Sequence, residues 1–129
     1  MNYLIRRKTR EDCAPVVHVA TVVWNETYKG IVDDDFLNKL YETEEQRAKE
    51  IYNKFNEEDN HQLVLEVDNN IVGFVNVGDT DDTSYDNCGE LHAIYILDKY
   101  KGKGLGKKLF EAGIEELIHF PFYSRKCMW

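Results

Sequence analysis

Residues 94–110 read IYILDKYKGKGLGKKLF, and this stretch decides how the chain folds. An apolar run with two isoleucines enters a loop with glycine at 102, 104 and 106, and an amphipathic segment follows without a break. Glycine permits positive φ and lacks the Cβ atom that would keep a ligand away from the backbone. A strand, a glycine loop and a helix N-terminus in this order present main-chain N–H groups to an anion. We therefore predict a phosphate-binding loop.

The segment after Gly104 is predicted to be a helix, because its apolar residues recur at helical spacing. These residues are Leu105, Leu109, Phe110, Ala112, Ile114, Leu117 and Ile118. The first turn of a helix supplies N–H donors that have no partner within the helix and the positive end of the macrodipole. Cationic charge surrounds the same point, contributed by Lys101, Lys103, Lys107 and Lys108. The ligand is therefore expected to be polyanionic.

Two common glycine-loop motifs are excluded by their spacing. A dinucleotide-binding fingerprint that begins at Gly102 or Gly104 needs glycine at 107 or 109, where the chain has lysine and leucine. A P-loop that ends in Gly106-Lys107 needs Ser or Thr at 108 and glycine at 101, and the chain has lysine at both. The alternative that stays open is a glycine-rich turn between strand and helix whose lysines are only solvated.

Residues 101–106 resemble the acyl-CoA loop of the GNAT-type N-acetyltransferases. The family pattern is Gln or Arg, two residues, Gly, one residue, and Gly or Ala, and it is matched by Lys101, Gly104 and Gly106. Lysine in the first place keeps a polar head but lacks the guanidinium or amide fork. Two further stretches are similar to the family and stand in its order. GELHAIYI at 89–96 resembles the strand before the loop, and VWNETYKGIV at 23–32 resembles the segment that joins the first two helices.

The resemblance implies that acetyl-CoA is the cosubstrate and that the loop backbone binds its diphosphate, with no metal ion. It also implies that main-chain groups of Ile94 and Ile96 pair with the pantetheine arm, much as an added strand pairs with a sheet edge. The residues expected to bind acetyl-CoA are Ile94, Ile96, Lys101, Gly102, Lys103, Gly104, Leu105, Gly106 and Lys107.

Acetyl transfer to an amine needs the amine neutral, and therefore a base. The resemblance implies Glu90 as this base, acting through water, because many relatives keep a catalytic glutamate at the matching position. His92 is the second candidate, since histidine changes charge near neutral pH. Strand alternation predicts Glu90, His92, Ile94 and Ile96 on one face. The alternatives are a solvated glutamate at the strand end and a structural histidine.

The whole chain, residues 1–129, is predicted to be one domain of class α/β (α+β). The resemblance implies a GNAT-like mixed, mostly antiparallel sheet flanked by helices in the order β-α-α-β-β-β-α-β. The predicted elements are a strand at 3–6, a helix at 11–27, a helical stretch at 33–56 interrupted near Thr43, a hairpin of 62–67 and 71–77, a strand at 90–97, and the helix after Gly104. Thr43 and Gln46 are expected to form a capping box.

The charge balance limits the partners. Sixteen basic and twenty-four acidic side chains give a net charge of −8, which disfavours binding to nucleic acid or to an anionic membrane. The acidic runs around 33–35, 42–45, 57–59 and 79–82 would steer a cationic amine if they rim the cleft, and are otherwise a solvated surface. No signal peptide or transmembrane run is present, so a cytoplasmic location is expected. The three cysteines are expected to be reduced.

The C-terminus departs from the family pattern, in which a strand, a helix and a last strand follow the CoA helix. The chain is therefore expected to be incomplete there, and the tyrosine that protonates the departing thiolate in the family has no counterpart. An apolar last strand would leave a sheet edge uncovered, and we expect a homodimer with a shared or exchanged C-terminal strand. The alternative functions are a noncatalytic acyl-CoA-binding or oligomerisation module and a nucleotide-phosphate binder unrelated to CoA.

Overall fold

Four antiparallel strands form one sheet in the order β1-β2-β3-β4, with helices on both faces. The structure is a computed structural model and describes residues 2–57, 60–79 and 89–119. The strands are β1 (Tyr3–Arg7), β2 (Leu63–Val67), β3 (Asn70–Asp79) and β4 (Gly89–Ile96), and the helices are α1 (Cys13–Tyr28), α2 (Asp34–Glu42), α3 (Glu44–Lys54) and α4 (Leu105–Ile118). The predicted order is confirmed from the first strand to α4. The strand predicted after α4 lies outside the described residues.

The hairpin of β2 and β3 turns at two positions whose backbone conformation only a few residue types adopt readily. Asp68 and Asn69 have φ of 49° and 70°, and Val67 pairs with Asn70 across them. Positive φ at both central residues is the type I′ geometry, whose twist matches that of the flanking strands. Asn and Asp adopt this conformation more readily than other residues with a Cβ. The predicted Asn/Asp hairpin is thus confirmed, and its register is set by the turn.

The sheet is buried on both faces. The α4 face holds a cluster that includes Leu65, Val75 and Leu109, each fully buried. The α1 face holds a second cluster that includes Val19, Val64 and Phe74. This double burial explains why β2 is almost continuously apolar and does not alternate.

Helix α1 buries a wider face than the apolar stripe that helical spacing predicts, which consists of Val16, Val17, Ala20, Val23 and Trp24. Val16, Val17 and Val23 are buried as predicted, whereas Ala20 and Trp24 are half-buried. Cys13, Val19 and Thr21, which lie outside that stripe, are each 1% exposed. The Thr21 hydroxyl donates to the Val17 carbonyl at 2.9 Å, so its polar group is satisfied inside the helix. Cys13 is buried and has no disulfide partner among the described residues, and the other two cysteines lie outside them.

A bulge in β4 overturns the predicted face of Glu90. Asn76 pairs with Ala93 but Val77 pairs with Leu91, so His92 is an extra residue on β4. The inserted residue reverses the alternation beyond it. Leu91 and Ile96 pack in the α4-side cluster, while Glu90, paired with Gly78, lies on the α1 face. The prediction of one shared face for Glu90, His92, Ile94 and Ile96 is therefore wrong.

The boundary between α2 and α3 lies at Thr43, as predicted, but the predicted capping box does not form. The Thr43 hydroxyl donates to the Lys39 carbonyl at 2.9 Å and accepts from Arg47 Nε at 3.2 Å, and it caps no N–H of α3. Thr43 closes α2 and positions Arg47 instead. Helix α2 is capped by Asp33, whose carboxylate accepts the Asp35 N–H at 3.1 Å.

Candidate active site

The loop before α4 leaves the first main-chain N–H groups of that helix open. Gly102 and Gly104 have φ of +76° and +79°, which favours glycine at both positions. Gly104 is the N-cap and has no side chain to accept from the first turn, and the Lys108 N–H donates to its carbonyl at 3.3 Å. The N–H groups of 105–107 precede this bond. A Cβ built at Gly102, Gly104 or Gly106 meets no described atom within 4 Å, so no described group crowds the loop on the side where a side chain would project.

The lysines predicted around the loop differ in their surroundings. Lys101 Nζ forms an ion pair with Asp98 Oδ1 at 2.7 Å. Lys103, Lys107 and Lys108 are exposed, and the first turn of α4 carries no acidic residue. The cationic field at the helix N-terminus therefore comes mainly from these three side chains and from the helix macrodipole.

The main-chain groups of Ile94 and Ile96 face the edge of β4 that pairs with no described strand. The Leu97 N–H donates to the Val72 carbonyl at 3.0 Å, and the register continues through the pairs Gly73–Ile96, Phe74–Tyr95 and Val75–Ile94. Bonded and non-bonded pairs alternate in an antiparallel ladder. Tyr95 therefore takes a bonded position, while the N–H and C=O groups of Ile94 and Ile96 point away from β3.

A groove of about 250 Å³ runs along this edge and ends at the glycine loop. Ile94, Tyr95, Ile96 and Lys101 line one side of it, and α1 lines the other with Val23, Trp24, Thr27 and Tyr28. The groove thus joins the open strand edge to the loop in front of α4. No carboxylate among the described residues lines it.

Glu90 and His92 form a pair on the α1 face of the sheet. Glu90 Oε2 lies 3.4 Å from His92 Nε2, with side-chain exposures of 44% and 37%. A Cβ built at Gly78 would lie 3.5 Å from His92 Cε1, so the imidazole turns back over Gly78 towards Glu90. The bulge thus brings together the two side chains predicted as base candidates. Two adjacent proton acceptors can share one proton and pass it to water.

Tyr95 and Trp24 have a contact that the sequence did not reveal. Helical spacing predicts Trp24 on the core face of α1, strand alternation predicts Tyr95 in the core, and both are half-buried. Trp24 Nε1 donates to the Tyr95 hydroxyl at 3.1 Å, and the Tyr95 ring packs edge-to-face on Phe74 at a centroid distance of 5.1 Å. This pair closes one end of the groove. Helical and strand periodicity identify both residues as inward-facing, but periodicity does not indicate a hydrogen bond across 71 residues.

Lys8 is a buried cation that the sequence did not single out. It follows β1 and is 8% exposed, and burial lowers the pKa of its ammonium, against the opposing effect of Cys13 and Asp12. Among the residues that the structure describes, no group of three or more His, Cys, Asp or Glu side chains is placed to hold a metal ion. In the same part of the chain, no helix is both long and apolar enough to cross a membrane.

Comparison with known proteins identifies the class. The acetyltransferase (GNAT) family matches residues 24–127, and the chain belongs to this family of enzymes. The chain is 29% identical over 124 residues to YuaI of Bacillus subtilis (strain 168), an uncharacterized N-acetyltransferase, with 93% of this chain and 67% of YuaI covered. The expected family and fold class are confirmed.

Solved structures give the same fold. PaiA N-acetyltransferase from Thermoplasma acidophilum, in complex with coenzyme A, has a TM-score of 0.69 at 24% identity, covering 89% of this chain and 71% of PaiA. A GNAT family acetyltransferase from Brucella melitensis, in complex with acetyl-CoA, has a TM-score of 0.59 at 17% identity, covering 89% of this chain and 68% of that protein. Because both identities are below 25%, these two structures show only that the fold is shared.

Proposed function

We propose that this chain transfers an acetyl group from acetyl-CoA to a primary amine. The observation that carries the proposal is that the groove reaches Lys101, the first residue of the loop that leads to the open amides of α4. The groove runs from the edge at Ile94 and Ile96, which pairs with no described strand, to Lys101, where the loop begins. Among the described residues this edge has no neighbouring strand and the N-terminus of α4 has no side-chain cap, so both leave main-chain hydrogen-bonding groups to be satisfied. One ligand with an amide-bearing arm and a diphosphate would complete both.

The residues present fit acetyl-CoA. The N–H groups of 105–107 and the exposed Lys103 and Lys107 would hold the diphosphate, while the backbones of Ile94 and Ile96 would pair with the pantetheine amides. The two solved structures named above are complexes with coenzyme A and with acetyl-CoA, respectively. Acetyl-CoA supplies an acyl group on a good leaving group, the thiolate.

Glu90 and His92 would then take up the proton that the acceptor loses. The amine nitrogen attacks the thioester carbonyl, an N–C bond replaces the C–S bond, and the thiolate departs. The proton released from nitrogen passes to Glu90, directly or through water, with His92 at 3.4 Å as the second acceptor. The exposure of both side chains suits a relay through water.

The test follows thiol release from acetyl-CoA with a panel of primary amines, for the wild type, Glu90→Gln and His92→Gln. We expect Glu90→Gln to lower kcat by about 100-fold or more, the range of general base catalysis, with the Kd for CoA changed less than twofold. Glu111→Gln is the matched control, because Glu111 is an exposed carboxylate on α4. A larger loss in His92→Gln than in Glu90→Gln would make His92 the base and Glu90 the group that orients it.

Two other results would point elsewhere. CoA binding without turnover for any amine would favour the noncatalytic acyl-CoA-binding or oligomerisation module. Equal protection against heating by ATP and CoA would favour a general nucleotide-phosphate binder.

The acceptor, the assembly and the location complete the proposal. An amine is a cation in water before it loses its proton, and the net charge of −8 favours its approach. A homodimer is also proposed, and sedimentation at several concentrations measures it. A cytoplasmic location is proposed as well.

A further inference from the structure

A second cavity, of about 420 Å³, lies on the α1 side of the sheet. It is bounded by α1, α3 and the face of β3 and β4 that carries Phe74 and Tyr95. Trp24 and Tyr95 line both this cavity and the groove, so the two spaces meet at their hydrogen-bonded pair. A largely apolar cavity of this size with a few polar groups is typical of a small-molecule site.

The cavity has two cations and no carboxylate among its described lining residues. Arg47 hydrogen-bonds only to neutral oxygens in the described part of the chain, at 3.2 Å to Thr43, 2.9 Å to Thr21 and 2.6 Å to the Leu40 carbonyl. These three hydrogen bonds use Nε and Nη2 of Arg47 and involve no N–H of Nη1. Lys8 forms no ion pair with any described carboxylate: both Nη groups of Arg6 hold the neighbouring Asp12, which acts on Lys8 only at longer range, and Lys8 Nζ lies 5.8 Å from the centroid of the Phe55 ring. A buried cation without a directly paired carboxylate is costly, and a bound anion would offset part of that cost.

The position of Lys8 relative to Asn76 and Ala93 indicates how far the two ends of a ligand would lie from each other. The Lys8 N–H donates to the Gln62 carbonyl at 2.9 Å, the β2–β3 register continued by one residue sets Gln62 opposite Asn76, and Asn76 pairs with Ala93. At about 4.8 Å per strand, the Cα of Lys8 lies about 10 Å from that of Asn76 and about 14 Å from that of Ala93.

The proposed base lies in the neighbouring row of the sheet, next to the cavity and not among its lining residues. The next pair on the same face beyond Asn76 and Ala93 is Gly78 and Glu90. Asn76 Oδ1 is buried without a hydrogen-bond partner among the described residues, so this end of the cavity is also incomplete in hydrogen bonding.

We propose that this cavity binds the acceptor, and that the acceptor is a primary amine with a carboxylate several bonds away from its nitrogen. The proposal rests on the proposed acetyl transfer. The amine lies at the Asn76 and Glu90 end, the carboxylate lies between Lys8 and Arg47, and the carbon chain follows the apolar wall. Two cations on different elements offer one donor to each carboxylate oxygen.

The test compares ω-amino acids with alkylamines of matched length. The substrates are β-alanine, γ-aminobutyrate and ε-aminocaproate, against propylamine, butylamine and hexylamine, with the wild type, Lys8→Met and Lys49→Met. Lys8→Met removes a buried charge and keeps a long side chain, so the fold should tolerate it. Lys49→Met is the control, because Lys49 is exposed on α3 and does not line the cavity.

In the wild type we expect a KM for ε-aminocaproate at least tenfold below that for hexylamine, with the preference growing with chain length. Lys8→Met should raise the KM for ε-aminocaproate about tenfold, the effect of one charge-assisted hydrogen bond, and leave the KM for hexylamine within twofold. Equal KM values for both substrates in the wild type, or an equal effect of Lys8→Met on both, would overturn the proposal and leave acetyl transfer intact.

Absence of turnover with every amine would refute the acetyl transfer, and calorimetry would then decide on the cavity. Titration of ε-aminocaproate into the protein saturated with CoA should give heat that Lys8→Met removes. No heat in the wild type would overturn the carboxylate site.

Discussion

Asp12 is a nearly buried carboxylate that ties the first strand to the first helix. Arg6 reaches both of its oxygens, at 2.7 and 3.0 Å, and the Thr9 N–H and hydroxyl donate to it at 2.6 and 3.0 Å. Burial raises the pKa of Asp12, but the hydrogen bonds from Arg6 and Thr9 outweigh burial, and the net shift is downward. The charged form is therefore the one that the fold stabilises.

The pH dependence of this carboxylate follows from the sign of that shift. A pKa that is lower in the folded state than in the unfolded state adds stability above the unfolded value, and this stability is lost as the pH falls through the folded value. We expect Asp12→Asn to lower the free energy of unfolding at pH 7 by about 3 kcal/mol, because it leaves Arg6 without its main partner. The mutant should also lose less stability than the wild type between about pH 4 and pH 2.

Urea unfolding at several pH values measures both effects. Glu111→Gln, at an exposed carboxylate, is the control and should change the free energy by less than about 0.5 kcal/mol. Parallel curves for the wild type and Asp12→Asn across the acid range would contradict the assigned role of Asp12.

Most of the elements could be predicted from the sequence, because each has a strong local signal. Helical periodicity identified α1 and α4, and Asp68-Asn69-Asn70 identified the hairpin. The bulge at His92 could not be predicted, because it depends on how β3 pairs with β4 and leaves no mark in the sequence of β4 itself. That single residue decides which face Glu90 occupies.

The candidate site was predictable where it consists of backbone and unpredictable where it consists of side chains from distant elements. The glycines of the loop indicate their own conformation, and Gly102 and Gly104 have the positive φ expected of them. Lys8 follows β1 and Arg47 lies on α3, and only the tertiary fold brings both to one cavity. The Thr43 hydroxyl differs from its predicted capping role for a local reason, because it accepts a hydrogen bond from Arg47 four residues later.

Helix α4 contains two glycines in contrasting surroundings. A Cβ at Gly106 meets no described atom within 4 Å, whereas one at Gly113 lies 3.1 Å from Val75 Cγ2, in the fully buried cluster. Gly106→Ala should raise the free energy of unfolding by about 0.5 kcal/mol, because alanine lowers the conformational entropy of the unfolded chain. Gly113→Ala should lower the free energy of unfolding by about 1 kcal/mol, because the overpacking against Val75 costs more than the lower entropy of the unfolded chain contributes.

The two loop positions, 104 and 106, are expected to differ in how strongly substitution weakens CoA binding. Ala is the other residue of the family pattern at 106, so Gly106→Ala should keep the Kd for CoA within about threefold. Gly104→Ala forces a Cβ into φ of +79° and should cost about 1 kcal/mol of stability as well as most of the CoA affinity. Denaturant titration and calorimetry on the three variants measure these effects, and a more stable Gly113→Ala would show that Val75 yields at no cost.

At the scale of the whole molecule, a protein of net charge −8 is proposed to bind a polyanion. The exposed Lys103, Lys107 and Lys108 near the loop make the local field opposite in sign to the distant one. The Debye length is about 10 Å at 0.1 M salt, so distant acidic residues are screened while these lysines still act on a bound phosphate. Binding is therefore best measured near physiological ionic strength.

A ligand held at once by the loop, by α4 and by the β4 edge should stabilise the whole fold. At 100 times its Kd, CoA should add about 2.7 kcal/mol to the free energy of unfolding, a rise in Tm of about 10 °C for a domain of this size. Pantetheine lacks the diphosphate and reaches only the strand edge, so it should give a much smaller rise at equal concentration. Thermal unfolding followed by circular dichroism compares the two. If pantetheine protected as well as CoA, the open amides of α4 would contribute nothing to binding, and the groove alone would hold the ligand.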